Sequence, residues 1–221
     1  MKTVALIHTV KSVSNTFEEK LRAEIKEDIK VSNLLDDFLS NNANELGEFT
    51  IDNRNRLFLD MKTQELTGAD VIVTTCSTLT PVVEMIRPFM KIPVIAIDDA
   101  MARRGVTFGK RVLVMATAQS TVEPTKEKLQ AEAARAGVEL EIDSLVNHEA
   151  FDAIKALDNK RHDDLLRASA SKISGYDCVI LAQASMAHME NEISKICKCP
   201  VISSPNLCIK EVKEVLNMTN K

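Results

Sequence analysis

The sequence predicts an α/β fold of two pseudo-twofold-related domains, each a parallel sheet flanked by helices, with a ligand cleft between them. Three observations carry this. Short apolar runs alternate with helical stretches along the whole chain, the pattern of parallel strands covered on both faces. The stretch Ala69 to Thr80, ADVIVTTCSTLT, returns 107 residues later as Tyr176 to Ala187, YDCVILAQASMA, and Lys91 to Ile95 returns as Lys198 to Ile202 at the same offset. Thr3 to Thr9 answers Arg111 to Thr117, and Glu18 to Ile25 answers Lys126 to Ala133, both at an offset of 108. A strand and helix pattern used twice divides the chain into a first domain of residues 1–98 plus 206–221 and a second of 99–205. Ligands of such sheets bind outside the carboxyl ends of the strands. Equivalent loops would then line one site, with Cys76 and Gln183 facing each other across it.

In chain order, Val4 to Ile7 reads as a buried strand, His8 to Thr16 as a polar strand-to-helix loop, and Phe17 to Glu27 as a helix with Phe17, Leu21 and Ile25 on one stripe. Ile29 to Leu35 carries a weaker strand signal, and the asparagine-rich Phe38 to Thr50 has no clear period. Leu57, Leu59, Met61 and Leu66 suit a helix over 51–66, which Gly68 ends as a C-cap residue. Val71 to Val73 is the next strand. Thr80-Pro81 opens a helix with proline in its first turn, where the missing N–H does no harm. Pro93 to Ile97 is a further strand, and Asp98-Asp99 after it reads as an N-cap pair. The order repeats from Arg111 to Ser204, and a last helix runs from Leu207 to Met218.

The 221 residues are 45% hydrophobic and 27% charged, with a net charge of −4, which suits a globular chain and offers no basic footprint for nucleic acid. No apolar segment approaches the roughly 20 residues of a membrane span, and the N-terminal MKTVALIHTV lacks the features of a signal peptide. Five cysteines, an odd number, fit free thiols in a reducing compartment, so a cytoplasmic location is expected. With six glycines and no Gly-rich phosphate loop, a nucleotide cofactor is not expected. Cys197, Cys199 and Cys208 have the wrong spacing for zinc even with His188 nearby, so no metal is expected.

Cys76 stands apart. It follows a strand, lies among Thr75, Ser77 and Thr78, and precedes a helix, where backbone N–H groups lower a thiol pKa and favour a bound carboxylate. Cys178 falls within a strand and reads as core.

The strand ending in Cys76-Ser77-Thr78, the short polar loop after the first strand, the run Gly109 to Thr117, and the strands Pro93-Val94-Ile95 and Pro200-Val201-Ile202 together resemble the cofactor-independent aspartate/glutamate/hydantoin racemase superfamily over nearly the whole chain. The resemblance implies a small amino or carboxylic acid held between two domains, with one cysteine from each acting as acid and base on opposite faces of the α-carbon. Cys76 matches the first cysteine. Ser77 and Thr78 match the carboxylate-binding loop, Thr117 and Thr121 the loop after the second domain's first strand, and His8 and Thr9 its counterpart in the first domain. Gln183, followed by Ala184 and Ser185, holds the place of the second cysteine.

Glutamine does not titrate, whereas inverting a stereocentre needs one group to remove a proton and another to return it. His8, His188 or a carboxylate would have to supply the second proton. A single thiol suits decarboxylation or cis-trans isomerisation of a small dicarboxylate, or the chain binds its acid without turning it over. A small acid is the expected partner, and assembly into a homo-oligomer is left open.

Overall fold

A computed structural model describes residues 1–218 of the chain. The chain divides into two compact units, one formed by Met1–Asp99 and Pro205–Lys221, the other by Ala100–Ser204. Residues 219–221, placed by the sequence in the first domain, lie outside the described residues.

The first unit runs β1 (Lys2–His8), α1 (Lys11–Glu24), β2 (Ile29–Leu35), α2 (Phe38–Leu46), α3 (Ile51–Glu65), β3 (Val71–Thr74), a 3-10 turn at Ser77–Leu79, α4 (Thr80–Ile86) and β4 (Val94–Ala96). The second runs α5 (Asp99–Gly105), β5 (Arg111–Ala116), α6 (Val122–Ala136), β6 (Glu141–Val146), α7 (His148–Lys155), α8 (Asn159–Ala170), β7 (Cys178–Leu181), a 3-10 turn at Ala184–Met189, α9 (Glu190–Cys197) and β8 (Val201–Ser203). Helix α10 (Ser204–Met218) returns to the first unit.

Each unit holds one four-stranded parallel sheet, ordered β2-β1-β3-β4 and β6-β5-β7-β8. The central pairs keep the offsets seen in the sequence, since Val4 pairs with Val71 and Val112 with Cys178. Strands β3 and β7 are buried at every residue, which is why they read as unbroken apolar runs. Leu39, Leu57, Met61 and Leu79 cover the first sheet, and Leu166, Met186, Met189 and Ile193 the second.

Two local readings change. Lys11 to Thr16, expected as loop, already belongs to α1; Thr16 Oγ1 donates back to the Ser12 carbonyl at 3.0 Å, and Phe17 and Leu21 anchor the helix on the sheet. The segment without clear period contains α2, whose buried Leu39 and Ala43 lie one turn apart and whose end is closed by Gly47 at φ 73°. Neither helix has a side-chain N-cap. Their stability comes from packing a narrow stripe.

The amino end of each central pair is closed by an aspartate clamp. Asp70 N–H donates to the Thr3 carbonyl at 2.8 Å, while Asp70 Oδ2 accepts the Thr3 N–H at 2.7 Å. Asp177 does the same to Arg111, at 2.8 and 2.9 Å. The Asp177 carboxylate then lies directly against Gly109, which has φ 154°, so a Cβ there meets both a disfavoured backbone and the clamp. Gly109→Ala is therefore expected to lower stability by about 1 to 3 kcal/mol. Urea denaturation measures it, and an unchanged midpoint would show that the clamp tolerates displacement.

Candidate active site

The strand pairing brings the carboxyl ends of β1 and β3 together in the first unit, and those of β5 and β7 in the second. In the first, Thr75 N–H donates to the Ile7 carbonyl at 3.0 Å, and Cys76 follows in extended conformation at φ −136° and ψ 122°. Its carbonyl accepts the Leu79 N–H at 3.1 Å, closing the turn that leads into α4 and Pro81. Ser77 is buried and Thr78 half-buried. The Cys76 thiol is half-buried against the first unit's core and, among the described residues, has no hydrogen-bond partner.

His8 ends β1 fully buried. Its Nε2 lies 3.0 Å from Asn33 Oδ1 and its Nδ1 2.8 Å from Thr75 Oγ1. Asn33 Nδ2 donates to Glu18 at 2.5 Å, and Glu18 in turn pairs with Arg22 at 2.7 Å. With the Asn33 oxygen turned toward the ring, Nε2 carries the proton and Nδ1 accepts from Thr75. Burial lowers the ring's pKa below the ordinary 6.5, against the opposing pulls of Asn33 and Glu18. Both nitrogens are used within the protein, and His8 stands as the post behind the residue that precedes Cys76. Beside it, the Thr9 and Thr74 hydroxyls are buried without a hydrogen-bond partner.

The second unit builds the same turn with different side chains. Ala182 N–H donates to the Met115 carbonyl at 2.9 Å, Gln183 is extended at φ −134° and ψ 140°, and its carbonyl accepts the Met186 N–H at 3.0 Å. The Gln183 amide folds onto the loop after β5. Its Oε1 accepts the Thr117 N–H at 2.6 Å and the Ala118 N–H at 3.4 Å, and its Nε2 donates to the Thr117 hydroxyl at 2.9 Å. Thr117 is fully buried, and Thr121 Oγ1 donates to the Ala118 carbonyl at 2.9 Å. Ala184 and Ser185 are half-buried at the start of the turn.

The residues singled out in the sequence thus fall into two groups, one per unit: His8, Thr9, Cys76, Ser77 and Thr78 in the first, Thr117, Thr121, Gln183, Ala184 and Ser185 in the second. The other thiols stand apart from this chemistry. Burial pushes Cys178 up to about 12 and Cys197 up to about 11, and raises Cys199; Cys208 is fully buried on α10. Asp98 accepts the Thr80 hydroxyl at 2.7 Å, and Asp99 accepts the Ala96 N–H at 2.9 Å and pairs with Arg87 at 2.5 Å. His188 Nε2 lies 2.9 Å from Asp163 on α8. A groove of about 440 Å³ in the second unit lies beside Lys110 and Glu141, at the amino ends of β5 and β6, the wrong end of a parallel sheet for substrate chemistry.

Beyond β2 lies a carboxylate pair, Asp36 and Asp60, that no sequence motif marks. Asp36 is buried, its N–H donates to the His8 carbonyl at 2.9 Å, and it is paired with Arg56, whose guanidinium lies 5.0 Å from the Phe38 ring centroid. Asp60 lies beside Asp36, and burial first, with the neighbouring Asp36 carboxylate added, pushes Asp60 up to about 7. Only the strand end and the helix spacing together bring 36, 56 and 60 into contact.

A family model described as Asp/Glu/Hydantoin racemase matches residues 7–212. The chain belongs to this family. Among solved structures, a glutamate racemase from Bacillus anthracis matches with a TM-score of 0.70 at 15% identity, covering 99% of this chain and 82% of that one. An allantoin racemase from Klebsiella pneumoniae gives 0.68 at 14%, covering 99% and 89%. An aspartate racemase homologue from Pyrococcus horikoshii gives 0.65 at 16%, covering all of both chains. At such identities the likeness establishes the two-sheet α/β architecture. Comparison with curated protein sequences gives no match. Among the described residues no helix is long and apolar enough to cross a membrane.

Two opposed pH dependences are expected. Asp60 has a raised folded pKa, so its stabilising contribution is complete below the ordinary 3.8 and is lost as pH rises through about 7. His8 has a lowered one, so its contribution is complete above 6.5 and is lost as pH falls through the folded value. Asp60→Asn removes the ionisable group beside Asp36. It is expected to gain stability relative to the parent between about pH 5 and pH 8, measured by urea denaturation across that range; a constant difference would remove Asp60 as the source.

Proposed function

We propose that the chain transfers a proton at the carbon beside the carboxylate of a small amino or carboxylic acid, without a cofactor, using the Cys76 thiol as acid and base. The observation that carries this is the Cys76 side chain itself. It lies one residue beyond the loop bond that joins β3 to β1, at the carboxyl edge of the sheet, with no hydrogen-bond partner among the described residues and with Ser77 and Thr78 beside it. Family membership supports racemisation as the reaction class. The unpartnered Thr9 hydroxyl and the Ser77 and Thr78 groups are the polar contacts proposed for the substrate in the first unit, and Thr117, Thr121, Ala184 and Ser185 in the second.

Gln183 favours a second reading. Its amide cannot titrate, and it is held by Thr117 and Ala118. One-thiol chemistry needs no opposite base. In a decarboxylation the bond to the departing carboxyl breaks, carbon dioxide leaves its electron pair on carbon, and the Cys76 S–H proton goes to that carbon before water reprotonates the sulfur. Addition of the thiolate to a double bond, rotation and expulsion would isomerise a dicarboxylate without net proton change. His8 and His188 are weaker candidates for a second base, since His8 is fully engaged and His188 is turned to Asp163.

Solvent deuterium separates these readings. Racemisation is expected to wash deuterium into the α-position of an amino acid, decarboxylation to place it in a product one carbon shorter, and isomerisation to interconvert geometric isomers. Cys76→Ala is expected to cut any of them by about 10² to 10⁴-fold. Binding seen by thermal shift across a panel of amino and dicarboxylic acids, without exchange or conversion, would leave a binding protein.

Gln183→Cys supplies the missing titrating group. A gain of racemisation that is lost again in Cys76→Ala would show that positions 76 and 183 serve one substrate. No gain in a folded variant would favour the one-thiol reading.

A further inference from the structure

Among the described residues, His162, Asp163 and His188 are the group of three metal-ligating side chains whose donor atoms converge, all lying within 4.8 Å of one another. They belong wholly to the second unit. His162 and Asp163 are neighbours on α8, and His188 lies 25 residues on, in the turn after β7. Asp163 Oδ1 is the hub, 2.9 Å from His162 Nδ1 and 2.9 Å from His188 Nε2. The two rings stack with centroids 6.2 Å apart and an interplanar angle of 27°.

We propose that these three side chains form a site for a single zinc-like divalent cation. Two imidazole nitrogens and one carboxylate oxygen are the donors that first-row ions such as zinc(II) take, whereas calcium and magnesium prefer oxygen alone. Tetrahedral zinc, with bonds of about 2.0 to 2.1 Å, needs donors roughly 3.3 Å apart. The two hydrogen-bond separations would open by a few tenths of an ångström, and the two imidazole nitrogens, which lie within 4.8 Å of each other, would take up the same spacing around the ion. His162 is fully buried, so packing fixes its ring, while the His188 side chain is 55% exposed and leaves one side open for entry and for water as fourth ligand.

Asp163 is the carboxylate that reaches both rings, and its side chain is largely buried at 20% exposure. Arg167 is already committed to Glu192 at 2.5 Å and to Asp164 at 2.7 Å. A bound ion would tie the turn that begins beside Gln183 to helix α8. The cysteine cluster of the sequence does not share this site, since Cys197 Sγ is engaged by the Ala170 carbonyl at 3.5 Å.

Cobalt(II) titration of the whole chain tests this without reference to turnover. One equivalent is expected to give the visible d–d bands of tetrahedral cobalt without a thiolate charge-transfer band, and zinc is expected to displace it. His188→Ala and Asp163→Asn are expected to weaken binding by more than about 100-fold, beyond the loss of an outer-shell partner, with Cys76→Ser unchanged. His188 is exposed, so His188→Ala keeps the fold, checked by circular dichroism. No d–d bands, a thiolate band, or binding that survives both substitutions would show a hydrogen-bond hub only.

Discussion

The parallel register of β1 with β3, and of β5 with β7, is the constraint on which the candidate site depends. Four paired positions are enough to fix it because each pair is locked at both ends. Asp70 and Asp177 exchange two hydrogen bonds with the first residues of the neighbouring strand. At the far end Thr75 and Ala182 donate to the Ile7 and Met115 carbonyls. A slip by one residue would turn the apolar set of a strand buried on both faces against the wrong helices, and would also break the clamp. With the register fixed, residues 76 and 183 are each delivered two positions beyond the end of their strand in nearly the same backbone conformation.

On this common frame the two units spend their polar side chains differently. In the first, an imidazole from the end of β1 grips Thr75 and leaves the next side chain, a thiol, unpartnered. In the second, the side chain at the corresponding position reaches back and satisfies the amides of Thr117 and Ala118 itself. An amide oxygen there does for those N–H groups what an anionic oxygen of a ligand would otherwise do. Cys76 therefore carries the chemical reading, and Gln183 acts first on its own loop. A ligand oxygen reaching the Thr117 N–H would have to displace the Gln183 oxygen.

The sequence revealed what lies on the sheets and hid what lies on their rims. Val71 to Thr74 and Cys178 to Leu181 are buried on both faces, so their composition alone marks them as parallel strands, and the offset of 107 places Cys76 and Gln183 at equivalent ends. Helices α1 and α2 were harder, because only Phe17 and Leu21, or Leu39 and Ala43, are buried on each. A stripe that narrow leaves little periodic signal among lysines and asparagines. Side-chain direction was not legible at all. Nothing in the order of residues says that His8 turns to Asn33 and Thr75, or that Asp36 pairs with Arg56, since each contact depends on a pairing between distant strands or helices.

The turn Ala184–Met189 is pinned on both sides. Gln183, just before it, is fastened to the loop after β5, and His188, near its end, is fastened to α8 through Asp163. Its counterpart Ser77–Leu79 is shorter and passes at once into α4 with Pro81 in the first turn. The shorter turn is held by its backbone, whereas the longer one is also held by side-chain bonds. The backbone alone thus suffices to hold the Cys76 thiol in one place in the first unit. In the second unit the loop geometry rests instead on side-chain partners, Gln183 with Thr117 and His188 with Asp163.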